Sequence, residues 1–467
     1  MAEGRTPALL AAALAMVGIG GSLIGYWPGL MSWDAERQYE QALSGKFDDW
    51  HPPAMEWLWR QLIPLHPGTL PMLALQLALL WIGLGLIACW AWRSRRPWLA
   101  PAVIACALMP ISIGLMGAVL KDCLMTGAIM VACGILALVG DLATGRLGWR
   151  LLGIALLVAA STLRFNAFMA TVPIALALVP ARFRATWPRV IATTLVLSAL
   201  MMAALPLANR ALRAEPSGVA LSLVIFDLGG ITYHAGHDAF PPLDGIADPV
   251  RVNRTCYDPV KWDSYSWWVD RECPIGFYKI QDWFANHHLS PELFWGRAIL
   301  ANPVAYARHR LVHFNIATRF LVHRESEVAG QMTDAPNPWH YHIHRNVVTT
   351  LVANAAAALS PTPVEWPIVY IALALGALIM APGLPSARLI VPLAASSAIY
   401  GLGYLLVSVA SELRYHLWTM LAAALASVMV AADLVTARQL PWRRAVIAYL
   451  PAAIVVLLAT GWRLMPA

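Results

Sequence analysis

In a chain that is 59% hydrophobic and only 13% charged, each ionisable side chain stands out, and several fall where a connecting loop would not need them. Asp34 and Glu36 open a polar interval, 31–66, that also holds His51. Lys121-Asp122 sits between two apolar runs with almost no linker, and Arg164-x-Asn166 interrupts what would otherwise be one overlong apolar stretch. Glu412-x-Arg414-Tyr415 separates two more. Charges near membrane depth are costly and by default mark a site. Arginine in such a place suits a phosphate, because its fixed fork of donors matches phosphate oxygens in two-point contact. Plainer readings stay open beside these. Lys121-Asp122 could be an interfacial pair that snorkels to water, and Arg164 could pair with Asp122 or Asp34 to hold helices. Arg414 could pair with Glu412, and Asp34 could be a helix N-cap, which aspartate favours.

The elements that must position these groups follow from hydropathy. A helix needs about 20 apolar residues to cross a bilayer, and on that measure about eleven spans fit the 467 residues. They lie near 8–30, 68–92, 98–118, 123–141, 150–163, 166–181, 188–209, 364–382, 388–409, 415–435 and 445–462. The fold class expected is an all-α polytopic membrane protein with a small extracytoplasmic mixed domain. Between the first two spans, Ala35, Tyr39, Ala42 and Leu43 recur at helical spacing, so 34–44 reads as a short amphipathic helix that Gly45 can end. Pro52-Pro53 then pre-sets the first turn of a second surface helix over 54–62, with Trp57 and Trp59. The net charge of +7 is topogenic: Arg93, Arg95 and Arg96, then Arg146 and Arg150, then Arg182, Arg184 and Arg189, then Arg388, then Arg438, Arg443 and Arg444 fall in alternate connections. That pattern excludes nucleic acid as a partner and makes membrane lipid the surroundings. It places the N-terminus in the cytoplasm and gathers the unusual charges on the opposite face. The first apolar run lacks a clear small-residue cleavage site and is expected to remain as an anchor.

Three modules are expected: 1–209, carrying the first outer loop 31–66; an extracytoplasmic domain over 210–345; and a second membrane module over 346–467. Within 210–345, Val219–Asp227 reads as a strand and Pro291–His313 as a helix. Trp262, Trp267 and Trp268 lie with Tyr257 and Asp263 in one short stretch, a lining common to sugar sites and equally to interfacial anchors. Cys256 and Cys273 occupy this outer segment, where oxidation is permitted; a disulfide between them is the reading, two free thiols the alternative. Cys89, Cys106, Cys123 and Cys133 read as small packing residues. His340-x-His342-x-His344 has close spacing but no Cys or carboxylate set to complete a zinc pattern, so no metal is assigned.

In order and sidedness these motifs resemble the GT-C superfamily of integral membrane glycosyltransferases. The resemblance rests on an acidic residue opening an amphipathic helix after span one, then a Gly and Trp50-His51-Pro52-Pro53 before a second surface helix. Lys121-Asp122 resembles the family's acidic second loop, Arg164-x-Asn166 its Arg-Asn at a helix break, and Arg414-Tyr415 the late Arg-Tyr of several bacterial branches. Asp34-x-Glu36 stands where the protein mannosyltransferase and aminoarabinose transferase branches have adjacent Asp-Glu, so those substrates are not implied. The Trp-Trp-Asp signature of oligosaccharyltransferase is also missing. The resemblance implies a bacterial inner-membrane enzyme that moves a sugar from a polyprenyl-phosphate donor to a cell-envelope glycan or lipid, with inversion. Asp34 would be the base, with Glu36 as its substitute; Asp122 would orient the acceptor or a divalent cation. His51, Lys121, Arg164, Asn166, Arg414 and Tyr415 would form the substrate-binding side, with Arg164 and either Lys121 or Arg414 on the lipid phosphate and His51 either on the phosphate or bracing the loop. Two rival classes remain: a transporter or flippase of lipid-linked glycan, whose charges line a path, and a glycan polymerase or ligase. Sugar, acceptor and oligomeric state are not specified by the sequence.

Overall fold

The computed structural model describes residues 5–140, 145–269, 273–323, 333–437 and 441–465. Its regular elements are helices: α1 Arg5–Tyr26, α2 Trp33–Ser44, α3 Ala54–Leu62, α4 Leu70–Arg93, α5 Leu99–Ala107, α6 Pro110–Met116 and α7 Lys121–Val139. After them come α8 Arg146–Ser161, α9 Phe168–Leu178, α10 Trp187–Ala211, α11 Ala220–Ala235, α12 Pro249–Cys256, α13 Phe277–His287, α14 Pro291–Ala301 and α15 Pro303–Ala317. The last five are α16 Val347–Leu359, α17 Pro367–Met380, α18 Ala387–Val407, α19 Leu417–Ala437 and α20 Trp442–Leu464. Among the described residues, seven helices are long and apolar enough to cross a membrane, or eight if the α5–α6 pair, bent by 60°, is one span. This is the make-up of a polytopic membrane protein.

Eleven spans are not confirmed among the described residues, for local reasons. Pro110 starts α6 after an extended Met109 and bends the expected 98–118 span. The expected spans at 150–163, 166–181 and 364–382 are α8, α9 and α17, of 16, 11 and 14 residues. The break at Arg164-Phe165-Asn166 falls where the sequence places it, and α9 ends at Leu178, ahead of Pro180.

Two compact units make up the chain: Met1–Glu215 with Ala329–Gly401 and Arg414–Thr460, and Pro216–Val328 with Leu402–Leu413 and Gly461–Ala467. In the first, α4 packs against α1 and α7. A Cβ on Gly83 would stand 2.4 Å from the Met130 backbone, and one on Gly134 2.8 Å from the Gly83 carbonyl, so the two backbones meet as small residues allow. Just past the end of α4, Arg96 pairs with the buried Asp433 carboxylate of α19, which also accepts from the Ser386 amide at 2.7 Å.

The surface helices follow their sequence signals closely. Ser32 caps α2, its Oγ accepting from Ala35 N at 3.3 Å, and Gly45 ends it with φ 70°, a left-handed conformation glycine adopts freely. α3 buries Met55, Glu56 and Trp59. Trp59 donates through Nε1 to Gly68 O at 2.9 Å, while the Tyr39 hydroxyl accepts from Gly68 N at 2.9 Å, so both helices close on one turn. An extended strap from 333 to 346 lies over this corner: Ala335 N donates to Met31 O at 2.7 Å, and the Trp339 ring meets Tyr39 edge-on at 4.9 Å.

The second unit corrects two expectations. Val219–Asp227, read as a strand from its β-branched residues, lies in helix α11, and the domain is helical where a mixed fold was expected; its one β feature among the described residues is the isolated Lys261–Ala410 bridge. Tertiary partners override the propensity. α11 buries Asp227 against α15, where a Cβ on Gly230 would stand 2.1 Å from the His309 ring. The helix expected over Pro291–His313 is two, α14 and α15, because Pro303 follows Asn302 and breaks it. Cys256 and Cys273 are joined, with Cα atoms 5.6 Å apart.

Candidate active site

Five side chains from four separate stretches meet in the first unit. α2 supplies Asp34 at its second residue. The cap position belongs to Ser32, so the Asp34 carboxylate is free to point elsewhere. It accepts from Arg414 at 2.9 Å and lies 3.7 Å from Lys121 Nζ. Lys121 and Asp122 are the first two residues of α7, and Asp122 pairs with Arg164. Arg164 sits in the break between α8 and α9, with Asn166 Oδ1 3.5 Å from its Nε. Arg414 and Tyr415 occupy a short 3-10 turn, Leu413–His416.

Backbone pairing holds these segments in register. Leu30 N donates to Gly117 O at 3.1 Å and Val119 N to Leu30 O at 3.0 Å, joining the chain before α2 to the chain before α7. Gln76 Nε2 donates to Met116 O and Ala118 O, both at 2.8 Å, and fixes that connection from α4. The short distance from Asp34 to Lys121 follows from this lattice rather than from either side chain alone.

His51 completes the group. Its Nδ1 lies 2.7 Å from Lys121 Nζ; an ammonium only donates, so Nδ1 accepts and a neutral ring carries its proton on Nε2. Burial, then the Lys121 charge, lowers the His51 pKa to about 3, so the ring is neutral at physiological pH. For Asp34, burial pulls the pKa upward, but the Arg414 and Lys121 charges outweigh it and hold the carboxylate well below its usual range. Asp34 is therefore ionised, and a weak base, while these partners surround it. Lys121, Arg164 and Arg414 set three positive charges against two carboxylates, Asp34 and Asp122, which leaves one positive charge in excess among these five side chains. Their side chains are 2–23% exposed, and Asp34 is the most open at 23%. A half-enclosed cluster with surplus positive charge is suited to an anion.

Glu36 does not join the group. It lies two residues beyond Asp34, about 200° round the helix, where partial burial and then Glu40 raise its pKa. Asp48, in the loop after α2, instead ties that loop down: it pairs with Arg37 at 2.6 Å and accepts from Gln41 at 2.9 Å, while the backbone on either side of it pairs with Glu215.

Sequence reasoning passed over Glu56. It is fully buried on α3, and burial pushes its carboxyl up to about 9 against the opposing pull of Gln38 and Lys121, so it is protonated at neutral pH. Gln38, also fully buried, is one turn beyond Asp34 on the same face of α2. The signal was available: Glu56 stands three residues before Trp59, on the face of α3 that had to be buried. Tyr415, expected beside Arg414, has Arg164 Cζ 4.3 Å and Arg414 Cζ 5.4 Å from its ring centroid.

No protein-family model matches the chain, and no curated protein sequence matches it. Among solved structures, it is similar to the crystal structure of ArnT from Cupriavidus metallidurans bound to undecaprenyl phosphate, at 14% identity and a TM-score of 0.35, over 91% of this chain and 77% of that one.

Proposed function

We propose that this chain is a membrane glycosyltransferase that moves a sugar from a polyprenyl-phosphate donor to a cell-envelope acceptor, with inversion, at the extracytoplasmic face of a bacterial inner membrane. One observation carries the reading: Asp34 leaves the helix cap to Ser32 and lies instead in a cluster with surplus positive charge, against Arg414 and Lys121. A carboxylate in that setting, on the helix that the sequence resemblance marks as catalytic, has a role that helix capping does not explain.

The chemistry follows from competition for the cations. A donor phosphate entering the cluster engages Arg164, Arg414 and Lys121 and draws Arg414 and Lys121 away from Asp34. Losing those partners raises the carboxylate's proton affinity at the moment a base is needed. Asp34 then takes the acceptor hydroxyl's proton as that oxygen attacks the anomeric carbon. The bond from that carbon to the phosphate oxygen breaks, and the lipid phosphate leaves as an anion stabilised by the two guanidinium groups. Asp122 keeps Arg164 oriented, and neutral His51 keeps Lys121 oriented without adding charge.

Proteoliposomes loaded with a polyprenyl-phosphate sugar labelled in the sugar test this directly. Transfer releases lipid phosphate and moves the label to an acceptor. A transporter would move the donor across the bilayer with its sugar bond intact, and that result would overturn the proposal.

A further inference from the structure

We infer that Tyr415 is a positioning residue whose ring holds Arg164 and Arg414 together as one phosphate-binding pair. This rests on the reading of the cluster as a lipid-phosphate site. The two arginines come from distant segments, one from the α8–α9 break and one from the turn before α19. Each has its own carboxylate, Asp122 for Arg164 and Asp34 for Arg414. Both guanidinium groups nevertheless lie over one aromatic ring, at 4.3 and 5.4 Å.

Two like charges held at one ring repel one another, and the repulsion grows as water is excluded. The electron-rich face of an aromatic ring attracts each of them and offsets part of that repulsion. The ring also sets where the cations stand in the absence of an anion. A phosphate that displaces Asp34 from Arg414 would otherwise leave that guanidinium to swing away; with Tyr415 beneath it, the group stays beside Arg164. The argument uses the face of the ring and makes no use of the hydroxyl. It therefore separates Tyr415 from a residue that touches the substrate by hydrogen bonding, and from one that merely fills space.

The test uses the full chain in nanodiscs, with farnesyl phosphate as probe and farnesol as its uncharged control. Wild type and Tyr415→Phe should prefer the phosphate over the alcohol equally. Tyr415→Met, of similar bulk but without an aromatic face, should lose about tenfold of that preference, with an unchanged unfolding midpoint. In donor turnover the same variant should raise KM more than it lowers kcat. Retention of the full preference by Tyr415→Met overturns the inference, and so does an equal loss in Tyr415→Phe, which would assign the effect to the hydroxyl. Should Tyr415→Met fail to fold, Tyr415→Trp takes its place: it keeps an aromatic face, and loss of phosphate preference in that folded variant overturns the inference. If wild type does not distinguish phosphate from alcohol, the lipid-phosphate reading fails first, and this inference with it.

Discussion

The chain holds two clusters of acid, arginine and histidine, one in each unit, and they are built to opposite ends. In the second unit Asp227 meets Arg310 at 2.6 Å and His309 at 3.1 Å, and it accepts from Trp295 Nε1 at 2.8 Å. Arg310 also donates to Ser408 O at 2.6 Å, and the Tyr257 hydroxyl lies 2.9 Å from His309 Nδ1. Burial lowers the pKa of His309, so one negative charge faces one positive charge and the three side chains are 0–2% exposed. The Asp34 cluster has a similar set of residue types, but its cations outnumber its acids and Asp34 remains 23% exposed. A balanced, sealed network is occupied with holding α11 to α15. The Asp34 cluster sets three cations against two carboxylates among its five side chains and is more open on the acid's side, the contrast on which the proposed role rests.

Mutations can break this contrast, and the largest effect belongs to the sealed cluster. Asp227→Ala should cost about 3–5 kcal/mol, because it leaves Arg310 buried without its counter-charge. Replacing both charges with apolar residues, as in Asp227→Leu with Arg310→Met, should recover most of that loss in chemical denaturation. If the double variant is no better than the single one, the cluster is not simply a closed ion pair.

Glu56 gives the next effect, and its direction is set by pH. Its folded-state pKa, about 9, lies above the value of an unfolded carboxyl. The stability it contributes is therefore complete below the unfolded value, near 4, and declines as pH rises towards 9, by about 1.4 kcal/mol per pH unit. Glu56→Gln should remove that slope. Unfolding midpoints of variant and wild type should be close at pH 5 and should separate in the variant's favour at pH 8; parallel profiles would show that Glu56 ionises freely in the folded protein.

Smaller than the Asp227→Ala loss is the stability change expected for Asp34→Asn, because Asp34 is 23% exposed where Asp227 is sealed. The comparison sharpens here, since one acid should matter to folding and the other to turnover. Glu36→Gln should leave both within about twofold of wild type, because Glu36 faces away from the cluster. A large loss of turnover in Glu36→Gln would transfer the base to that residue.

Much of the contrast was legible in the sequence, and what was missed has a physical cause. The surface helices α2 and α3 were readable because Gly45 and Pro52-Pro53 act locally, as did the helical spacing of Ala35, Tyr39 and Ala42. The members of the Asp34 cluster stood out because charges are sparse in an apolar chain. Their pairing did not, since Asp34 meets Arg414 across most of the sequence. Asp227 was hidden for another reason: within Leu221–Phe226 and its β-branched neighbours it looked like the end of a strand, and only the partners on α15 make a helix there. The span count is not confirmed where α8, α9 and α17 fall below membrane-crossing length, and hydropathy did not record the bend at Pro110. Tyr415 was noticed as part of an Arg-Tyr pair, but its contact with Arg164 exists only in three dimensions.

The central claim is that Asp34 serves turnover. The most direct measurement is glycan mass analysis of the envelope from a deletion strain complemented with wild type or with Asp34→Asn at matched membrane levels. The account predicts that wild type restores one sugar mass and that Asp34→Asn does not. Full restoration by Asp34→Asn would contradict it and reduce Asp34 to a structural partner of Arg414.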